Sequence, residues 1–546
     1  MKGSRAVARI LKAEGIEYVF CFPNNAVIDA AAEVEIRPIM ARTERTAVGM
    51  ADGYTRVTGG RRTGVVAVQH GPGVENTFGG VAQAYSDGTP ILVLPGGVPS
   101  NRWEVEPSFD AARNFQYVTK WAARVNEVER VSEFFRRAFT YLRTGRPGPV
   151  LLELPTDVTA AELADADFAY APVKGTRSLA DPEDVRSAVK ALLAAKRPLI
   201  QAGLGVLYAE AWDELREFAE LVQVPVATTM VGKSGFPEDH PLSLGSGGRS
   251  GPKPVADWLR ESDLIFGIGA SFTISDYEAP IPPGKIAAQL VADERDLNKD
   301  YPTAYPLVGD AKLVLRQLIE EAARQSGPQG KKGDDRLARE VAAARQAWLD
   351  QWLPQLTSNE VPINPYRLLW DLQQALDMRN VIATHDAGNP RDQMNPFWRA
   401  LEPHSYVGWG KSTHLGYGLA LAMGAKLAKP EKTVLNLMGD AAFGMIGMDV
   451  ETAVRNGIAT LTVVLNNSVL GGYEKFLGIS DKRYGTRHIS GNYTKVAEGL
   501  GAYSERVERP EEIIPAVQRA LKATSEGRPA LLEVMTREQP RLSVYW

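Results

Sequence analysis

Two polar residues close two apolar runs in the last third of the chain. Thr433 to Met438 ends in Gly439-Asp440, and the β-branched run Thr460 to Leu465 ends in Asn466-Asn467. Met445 to Arg455 between them has helical character, so the stretch reads as strand, helix, strand, a parallel crossover unit. In such sheets ligands bind beyond the carboxyl ends of the strands. That aims Asp440 and Asn467, 27 residues apart, into one crevice. A carboxylate beside an amide oxygen suits a hard cation such as Mg²⁺, which takes few protein oxygens and keeps water and phosphate as its other ligands. Gly439, Ala441 and Ala442 leave room for a bulky group near the backbone. Polar residues also finish buried strands without any function. Two nearby turns favour a site. Gly388-Asn389-Pro390 follows the expected strand Asn380 to Thr384, with Asn as an N-cap and Pro at the first helical position. Helix N–H groups there could hold phosphate. Gly408-Trp409-Gly410-Lys411-Ser412 precedes a second helix, at about 416 to 427.

Glu44 lies in Arg42-Thr43-Glu44-Arg45, just after the expected strand Ile36 to Met40. By residue type it reads as a solvated acid paired with its arginine neighbours. As a strand-end residue it could equally lie in a cleft. His70 also stands at a strand end, where an acid/base role and a structural one are both open. His385 and His414 flank the glycine-rich turns and read as structural or rim residues. His240, His404 and His488 carry no signal.

The elements that must position these residues alternate regularly. Residues 1–165 give a first α/β domain. It has strands at Tyr18 to Phe20, Ile36 to Met40, Thr63 to Val68, Pro90 to Pro95 and Pro149 to Leu154, and helices at Ser4 to Ala13, Thr46 to Val57, Glu75 to Ser86 and Val131 to Leu142. A linker at about 165 to 182 leads to a central α/β domain, 183–325, whose first strand ends in Gly203-Leu204-Gly205. A charged, partly helical connector at 326 to 358 precedes a third α/β domain, 360–546. Alternation of this kind implies parallel sheets with helices on both faces, three doubly wound domains in all. Gly53-Tyr54, a strand and His70-Gly71-Pro72-Gly73 echo Gly416-Tyr417, a strand and Gly439-Asp440-Ala441-Ala442, which suggests that the first and third domains share a fold.

Bulk properties narrow the function classes. With 546 residues, 44% of them hydrophobic and 23% charged, the chain is an ordinary globular one. Its net charge of −4, with charges interspersed, gives no reason to expect nucleic acid as a partner. One cysteine, Cys21, excludes a disulfide framework and fits a reducing, cytoplasmic setting. The start, MKGSRAVARILKAEG, lacks an apolar signal core, and no apolar run approaches the ~18 residues of a membrane span.

Taken together, the motifs resemble the thiamine-diphosphate enzymes of the acetolactate synthase type, over almost the whole chain. The family's Gly-Asp-x…Asn-Asn signature is matched by Gly439-Asp440-Ala441 through Asn466-Asn467, with Ala441 where Gly is usual. Its glutamate segment is matched by Glu44 before Met50-Ala51-Asp52-Gly53-Tyr54. Its Ser-Gly-Pro-Gly-x-x-Asn is matched by His70 to Asn76, with His70 replacing the serine. Leu415, in Thr413-His414-Leu415-Gly416-Tyr417-Gly418, stands where a bulky residue supports the bent cofactor. The resemblance implies a Rossmann-like central domain between two domains of one thiamine-diphosphate-binding fold. It implies thiamine diphosphate and Mg²⁺ as cofactors, with Glu44 on the aminopyrimidine ring nitrogen and Asp440, Asn467 and the Val469 carbonyl on the metal. Asn76, Gly388, Asn389, Gly410, Ser412, Thr413, Leu415, Gly439, Ala441, Ala442 and Gly471 would line the cofactor. It further implies a homo-oligomer whose sites lie between subunits.

The chain departs from that type at the substrate end. Asp110 follows Phe109 where glutamine is usual, and Phe476 takes the place of a tryptophan. Asn25, Asp110, His414 and Phe476 are the candidates for contact with substrate. The expected activity is carboligation of 2-oxo acids with decarboxylation. A 2-oxo acid decarboxylase is the alternative, or a lyase like the 2-hydroxyacyl-CoA lyases and oxalyl-CoA decarboxylases, which the run Asp440 to Met448 also resembles. A dinucleotide oxidoreductase using Gly203-Leu204-Gly205 is a remote third reading, since Tyr208 breaks the full glycine pattern. FAD or ADP in the central domain stays open, because Ser271 to Asp276 shows no evident flavin-contacting stretch.

Overall fold

The computed structural model describes residues 1–275, 278, 280–331 and 333–543. Asp276, and the end of the Pro540 to Trp546 tail, lie outside the described residues. Three six-stranded sheets follow one another along the chain, and every strand pairing is parallel. The first is built from β1 (Tyr18–Cys21), β2 (Arg37–Met40), β3 (Val65–Val68), β4 (Leu92–Gly97), β5 (Trp121–Arg124) and β6 (Val150–Pro155), in the order β2-β1-β3-β4-β6-β5. The central sheet holds β7 (Pro198–Ala202), β8 (Val226–Thr228), β9 (Ser243–Ser246), β10 (Leu264–Ile268), β11 (Ile286–Val291) and β12 (Tyr305–Val308), in the order β12-β11-β10-β7-β8-β9. The third holds β13 (Val381–His385), β14 (Tyr406–Val407), β15 (Thr433–Gly439), β16 (Leu461–Asn466), β17 (Tyr503–Val507) and β18 (Ala530–Met535), in the order β14-β13-β15-β16-β18-β17.

Each strand of the third sheet stands in the place of its counterpart in the first. The sequence echo therefore reflects a shared fold. Its spacers differ because the Gly-Tyr pair lies near the end of one helix and just before the start of the other. Inner strands such as β3, β6 and β16 are buried along their whole length, the mark of a parallel sheet covered on both faces. The half-buried edge strand β5 (WAAR) was not expected from sequence. Nor were β9, whose Ser and Gly have little strand character and which carries a register shift, and β12.

The helices that position the site are α1 (Ala26–Glu33), α2 (Glu44–Arg56), α3 (Phe78–Asp87), α4 (Arg336–Leu356), α5 (Pro365–Ala375), α6 (Asn389–Phe397), α7 (Gly418–Ala428), α8 (Asp440–Ile446) and α9 (Glu474–Tyr484). Two expected helices are broken. Glu75 to Ser86 becomes a single turn, Pro72–Glu75, followed by α3. Met445 to Arg455 is interrupted by a 3₁₀ turn at Gly447–Asp449, where Phe443 packs so closely that a Cβ on Gly447 would sit 2.6 Å from its ring.

Helices α2 and α7 hold the first and third domains together. A Cβ on Gly53 would strike the Leu421 backbone, and one on Gly424 would strike the Met50 backbone. Residues of both helices share one apolar core, including Ala47, Met50, Ala51, Tyr54, Leu419, Ala420 and Met423. Two counterpart helices thus cross at glycines with their backbones in contact, and their N-terminal ends lie together.

Candidate active site

Asp440 sits at the first position of α8 and is 4% exposed. Its Oδ1 accepts from Ala441 N at 2.8 Å, and its Oδ2 accepts from Asn467 N at 3.2 Å and Ser468 N at 2.8 Å. Burial pushes this carboxyl above the usual carboxylate range, and the backbone N–H donors pull it back. The ends of β15 and β16 are thus fastened to each other, as parallel strand ends flanking a crevice can be. Asn467 Oδ1 accepts from Val469 N at 3.1 Å. Ser468 is in the left-handed region at φ 58°, and bonds to Arg487 O and from Ile489 N secure the loop on its far side. Asn466 points away, into Glu533 at 2.7 Å.

The N-terminus of α6 meets this loop. Gly388 is its N-cap at φ 81°, so the cap is one residue earlier than the expected Asn389, which is the first helical residue. A Cβ on Gly471 would come within 2.7 Å of Asn389 Nδ2, and Pro390 lies 3.9 Å from the Cβ position of Gly439. Gly388, Asn389, Gly439, Asp440, Asn467 and Gly471 therefore lie together at the carboxyl ends of β13, β15 and β16, with Ala441, Ala442 and Val469 next to them in the chain. Among the described residues there is no cluster of three His, Cys, Asp or Glu for a metal. The donor set expected here, one carboxylate, one amide and one carbonyl, needs no such cluster.

Glu44 opens α2 and is 7% exposed, so it is no solvated surface acid. Thr43 caps the helix by accepting from Thr46 N at 3.3 Å. Asn76 Nδ2 donates to Glu44 Oε2 at 3.3 Å, and Glu44 Oε1 lies 3.5 Å from the Cβ position of Gly73. The next residue, Arg45, donates to the carbonyl of Leu415. Burial lowers its guanidinium below the ordinary value, while Asp386 raises it. Glu44 and Leu415 are thus brought to one end of the α2–α7 pair.

Residues missed from sequence build the turn between Gly408 and Gly418. Asp386, fully buried, accepts from Gly416 N and Gly418 N, each at 2.9 Å. Asp449, 1% exposed, accepts from Arg42 N at 2.8 Å and from the Thr46 hydroxyl at 2.6 Å, and so caps α2 from the other domain. Arg56 pairs with Asp52 and with Asp87, the latter at 3.0 Å, and donates to Gly408 O at 3.1 Å. Tyr417 Oη donates to Asp52 at 3.0 Å. Only Asp386 offered a signal, its place at the end of β13. The partners Asp449–Thr46, Arg56–Gly408 and Tyr417–Asp52 are hundreds of residues apart.

The remaining candidates fall at several places. His70 is half-buried after β3. Gly410 is buried, Thr413 is at φ 52° and Ser412 is exposed. The His414 ring packs on Gly79 and Tyr417, its Nε2 has no partner, and burial brings its pKa to about 4. Asp110 caps a short helix and pairs with Arg124 at 3.1 Å. Asn25 accepts from Val27 N at 2.9 Å and donates to Val68 O and Leu94 O at 2.9 and 2.8 Å, so its polar atoms tie strand ends together. Phe476 is 71% exposed on α9. The Gly203-Leu204-Gly205 turn leads only into a five-residue helix, Leu204–Tyr208, which lines a cavity at the ends of β7, β10 and β11 with Ser271, Phe272 and Lys411.

Three family models match the chain in succession. They are the thiamine pyrophosphate enzyme N-terminal TPP binding domain at residues 1–119, the central domain at 185–318 and the C-terminal TPP binding domain at 386–534. The chain belongs to the thiamine pyrophosphate enzymes. The first and third sheets are the two matched as cofactor-binding, and the central one carries the Gly203-Leu204-Gly205 turn, so the dinucleotide oxidoreductase reading drops out. This thiamine pyrophosphate enzyme is 31% identical to a probable acetolactate synthase large subunit of Methanocaldococcus jannaschii, over 98% of its own length and 92% of the relative's. It is 27% identical to acetolactate synthase isozyme 3 large subunit of Escherichia coli K12, over 98% and 94%. It is 28% identical to glyoxylate carboligase of Escherichia coli O157:H7, over 100% and 94%. No helix among the described residues is long and apolar enough to cross a membrane.

Proposed function

We propose that this chain is a Mg²⁺-dependent carboligase of the acetolactate synthase kind, which decarboxylates one 2-oxo acid and joins the remainder to a second carbonyl compound. One observation carries this reading. The buried carboxylate Glu44 opens a helix whose next residue holds the Leu415 carbonyl, so the acid and the cofactor turn share one end of the α2–α7 pair. When bound, thiamine diphosphate supplies the nucleophilic carbon and the electron sink. The residues present fit it. Gly388, Gly439 and Gly471 leave a floor that a side chain would fill, and Asp440, Asn467 and the Val469 carbonyl offer oxygens of the kind Mg²⁺ takes.

Each residue then has a task. Glu44 holds a proton at the pyrimidine ring nitrogen, and Asn76 orients its carboxylate. Leu415 would support the cofactor, with Gly410, Ser412 and Thr413 beside it in the chain. Gly388, Asn389, Ala441, Ala442 and Gly471 surround the diphosphate. His70 serves as acid or base toward substrate. Asp110, His414 and Phe476 flank the acceptor, with His414 acting as a neutral ring. Asn25 acts indirectly, by holding the ends of β3 and β4.

The working unit in this reading is a cytoplasmic homo-oligomer with active sites between subunits, a second subunit closing over the crevice. Helix α9 supports it. No residue of α9 is buried, and Phe476, Ile479 and Tyr484 are 71, 75 and 78% exposed, directly after the Asn467–Gly471 loop. An isolated helix of this length is marginal in water. The central cavity in turn takes a nucleotide, FAD or ADP. Asp87, Glu278 and Asp296 balance Arg146 and Lys411 there. The relatives named acetolactate synthase and glyoxylate carboligase favour the carboligase over the lyase.

The test is CO₂ release from pyruvate and from glyoxylate by purified protein with thiamine diphosphate and Mg²⁺, with and without a second carbonyl compound. Release coupled to a condensed product is expected. Release with only aldehyde formed makes the protein a decarboxylase, and no release from either acid overturns both.

A further inference from the structure

A cavity of about 660 Å³ lies between the central and third domains, under the connector helix α4. Its size is that of a small-molecule site. Leu244 of β9, Trp348 and Leu349 of α4, Trp370 of α5 and Phe397 of α6 give it an apolar, aromatic body. Trp348 stacks on Phe397 with ring centres 5.0 Å apart, yet its Nε1–H is buried and has no partner. An unsatisfied buried donor is costly, and a ligand acceptor is one remedy.

Arg345 and Arg399 line the cavity together with the carboxylates Glu238 and Asp239. Arg345 gives one donor to Ser243 O at 2.9 Å, and its charge is attracted by Glu238 and Asp239 and repelled by Arg399. Neither guanidinium makes an ion pair among the described residues, although both line the cavity. The nearby carboxylates are already engaged. Glu238 is held by Lys233 and by Ala400 N at 3.2 Å, and Asp239 pairs with Arg379 at 2.6 Å. His240 bonds to Glu220 at 3.2 Å and accepts from Leu242 N at 3.1 Å. Two guanidinium groups therefore face an aromatic chamber without an ion pair of their own among the described residues, the carboxylates beside them being held by other partners.

We propose that this cavity binds a small carboxylate with an apolar or aromatic body, its carboxylate between Arg345 and Arg399 and its body among Trp348, Trp370 and Phe397. Planar guanidinium groups match a carboxylate bidentately. The proposal does not depend on the carboligase reading. It gives the protein a second small-molecule site at the C-terminal end of α6, whose N-terminal end enters the cofactor crevice.

The experiment titrates the holoenzyme with benzoate, and separately with benzyl alcohol, its neutral analogue, following tryptophan fluorescence. Saturable quenching by benzoate alone is expected. Arg399→Gln, at an exposed position, and Arg345→Gln should each weaken it by about tenfold or more. Trp348→Phe keeps the ring, removes the donor and should lower both affinity and signal. Equal binding of benzyl alcohol, no saturable response to benzoate, or wild-type affinity in Arg399→Gln would each overturn the proposal.

Discussion

The first and third domains use one strand order for opposite ends. In the third, the carboxyl end of the sheet is open. Gly388 caps α6, Gly471 leaves space beside Asn389, and Asp440 faces the crevice. In the first, an amide in place of a carboxylate fastens the matching strand ends. Asn25, at the start of α1 as Asn389 is at the start of α6, donates to Val68 O and Leu94 O and seals β3 to β4. The first domain contributes instead a single buried acid, Glu44, on the helix that crosses α7. The two copies thus keep the same packing while placing different polar groups at their strand ends. The chemistry depends on which residues stand at the strand ends, not on the sheet.

If this division holds, damage to the third domain's strand ends should abolish cofactor binding, and damage to the first domain's acid should spare it. Asp440→Ala should weaken Mg²⁺ and thiamine diphosphate binding by more than about 100-fold, beyond the usual loss for an outer-shell partner. A titration followed by circular dichroism checks this, and unchanged affinity would break the comparison at its strongest point. Glu44→Gln should bind the cofactor within a few-fold of wild type yet lose about 10²–10⁴ in kcat, the range of a positioned proton-transfer group. Equal loss of binding in both variants would mean that the two copies are not specialised.

Gly471→Ala tests this loop without removing a polar group. Its Cβ would press on Asn389 Nδ2, so cofactor affinity should fall by about tenfold, the scale of a displaced supporting contact. The double variant Gly471→Ala/Asn389→Ala should recover part of that loss if crowding is its cause.

Much of this was legible in the sequence, for local reasons. Asp440, Asn467 and Glu44 follow strand runs, and a strand end in a parallel sheet faces the ligand side. What could not be read depends on distance. Asp449 caps α2 from 403 residues away, and no local pattern announces such a pairing. Asn25 stands at a strand end like the others, but its amide turns back into the sheet, a choice its neighbours in sequence do not reveal. The expected helix Met445 to Arg455 has the right periodicity, and a 3₁₀ turn at Gly447–Asp449 interrupts it.

Asp449 offers a milder test of how the copies are joined. Asp449→Ala leaves the Thr46 hydroxyl and Arg42 N–H without their acceptor and should cost about 1–3 kcal/mol of stability. Denaturant unfolding of the apoprotein checks this. Glu44 would then lose its fixed helix start, so kcat should fall more than cofactor affinity.

The smallest effect sets counterpart against counterpart inside the sheets. His385 ends β13 and Cys21 ends β1, the same place in the two copies, and both are fully buried. Burial pushes the His385 pKa down to about 3, from an ordinary value of 6.5. Above pH 6.5 the ring is neutral in folded and unfolded chains alike. Between 6.5 and about 3 the unfolded chain takes up a proton that the folded one refuses, so stability falls as pH drops through that window. Burial pushes the Cys21 thiol up to about 12, from 9.0. That thiol stays protonated in both states under acid, and its stabilising effect fades only as pH rises above 9. His385→Phe should therefore flatten the acid limb of a melting-temperature profile, while Cys21→Ala leaves its slope unchanged. Equal slopes in wild type and His385→Phe would mean that other groups set the acid limb, among them His404 and His414 at about 4 and the depressed Asp293 carboxyl at about 2.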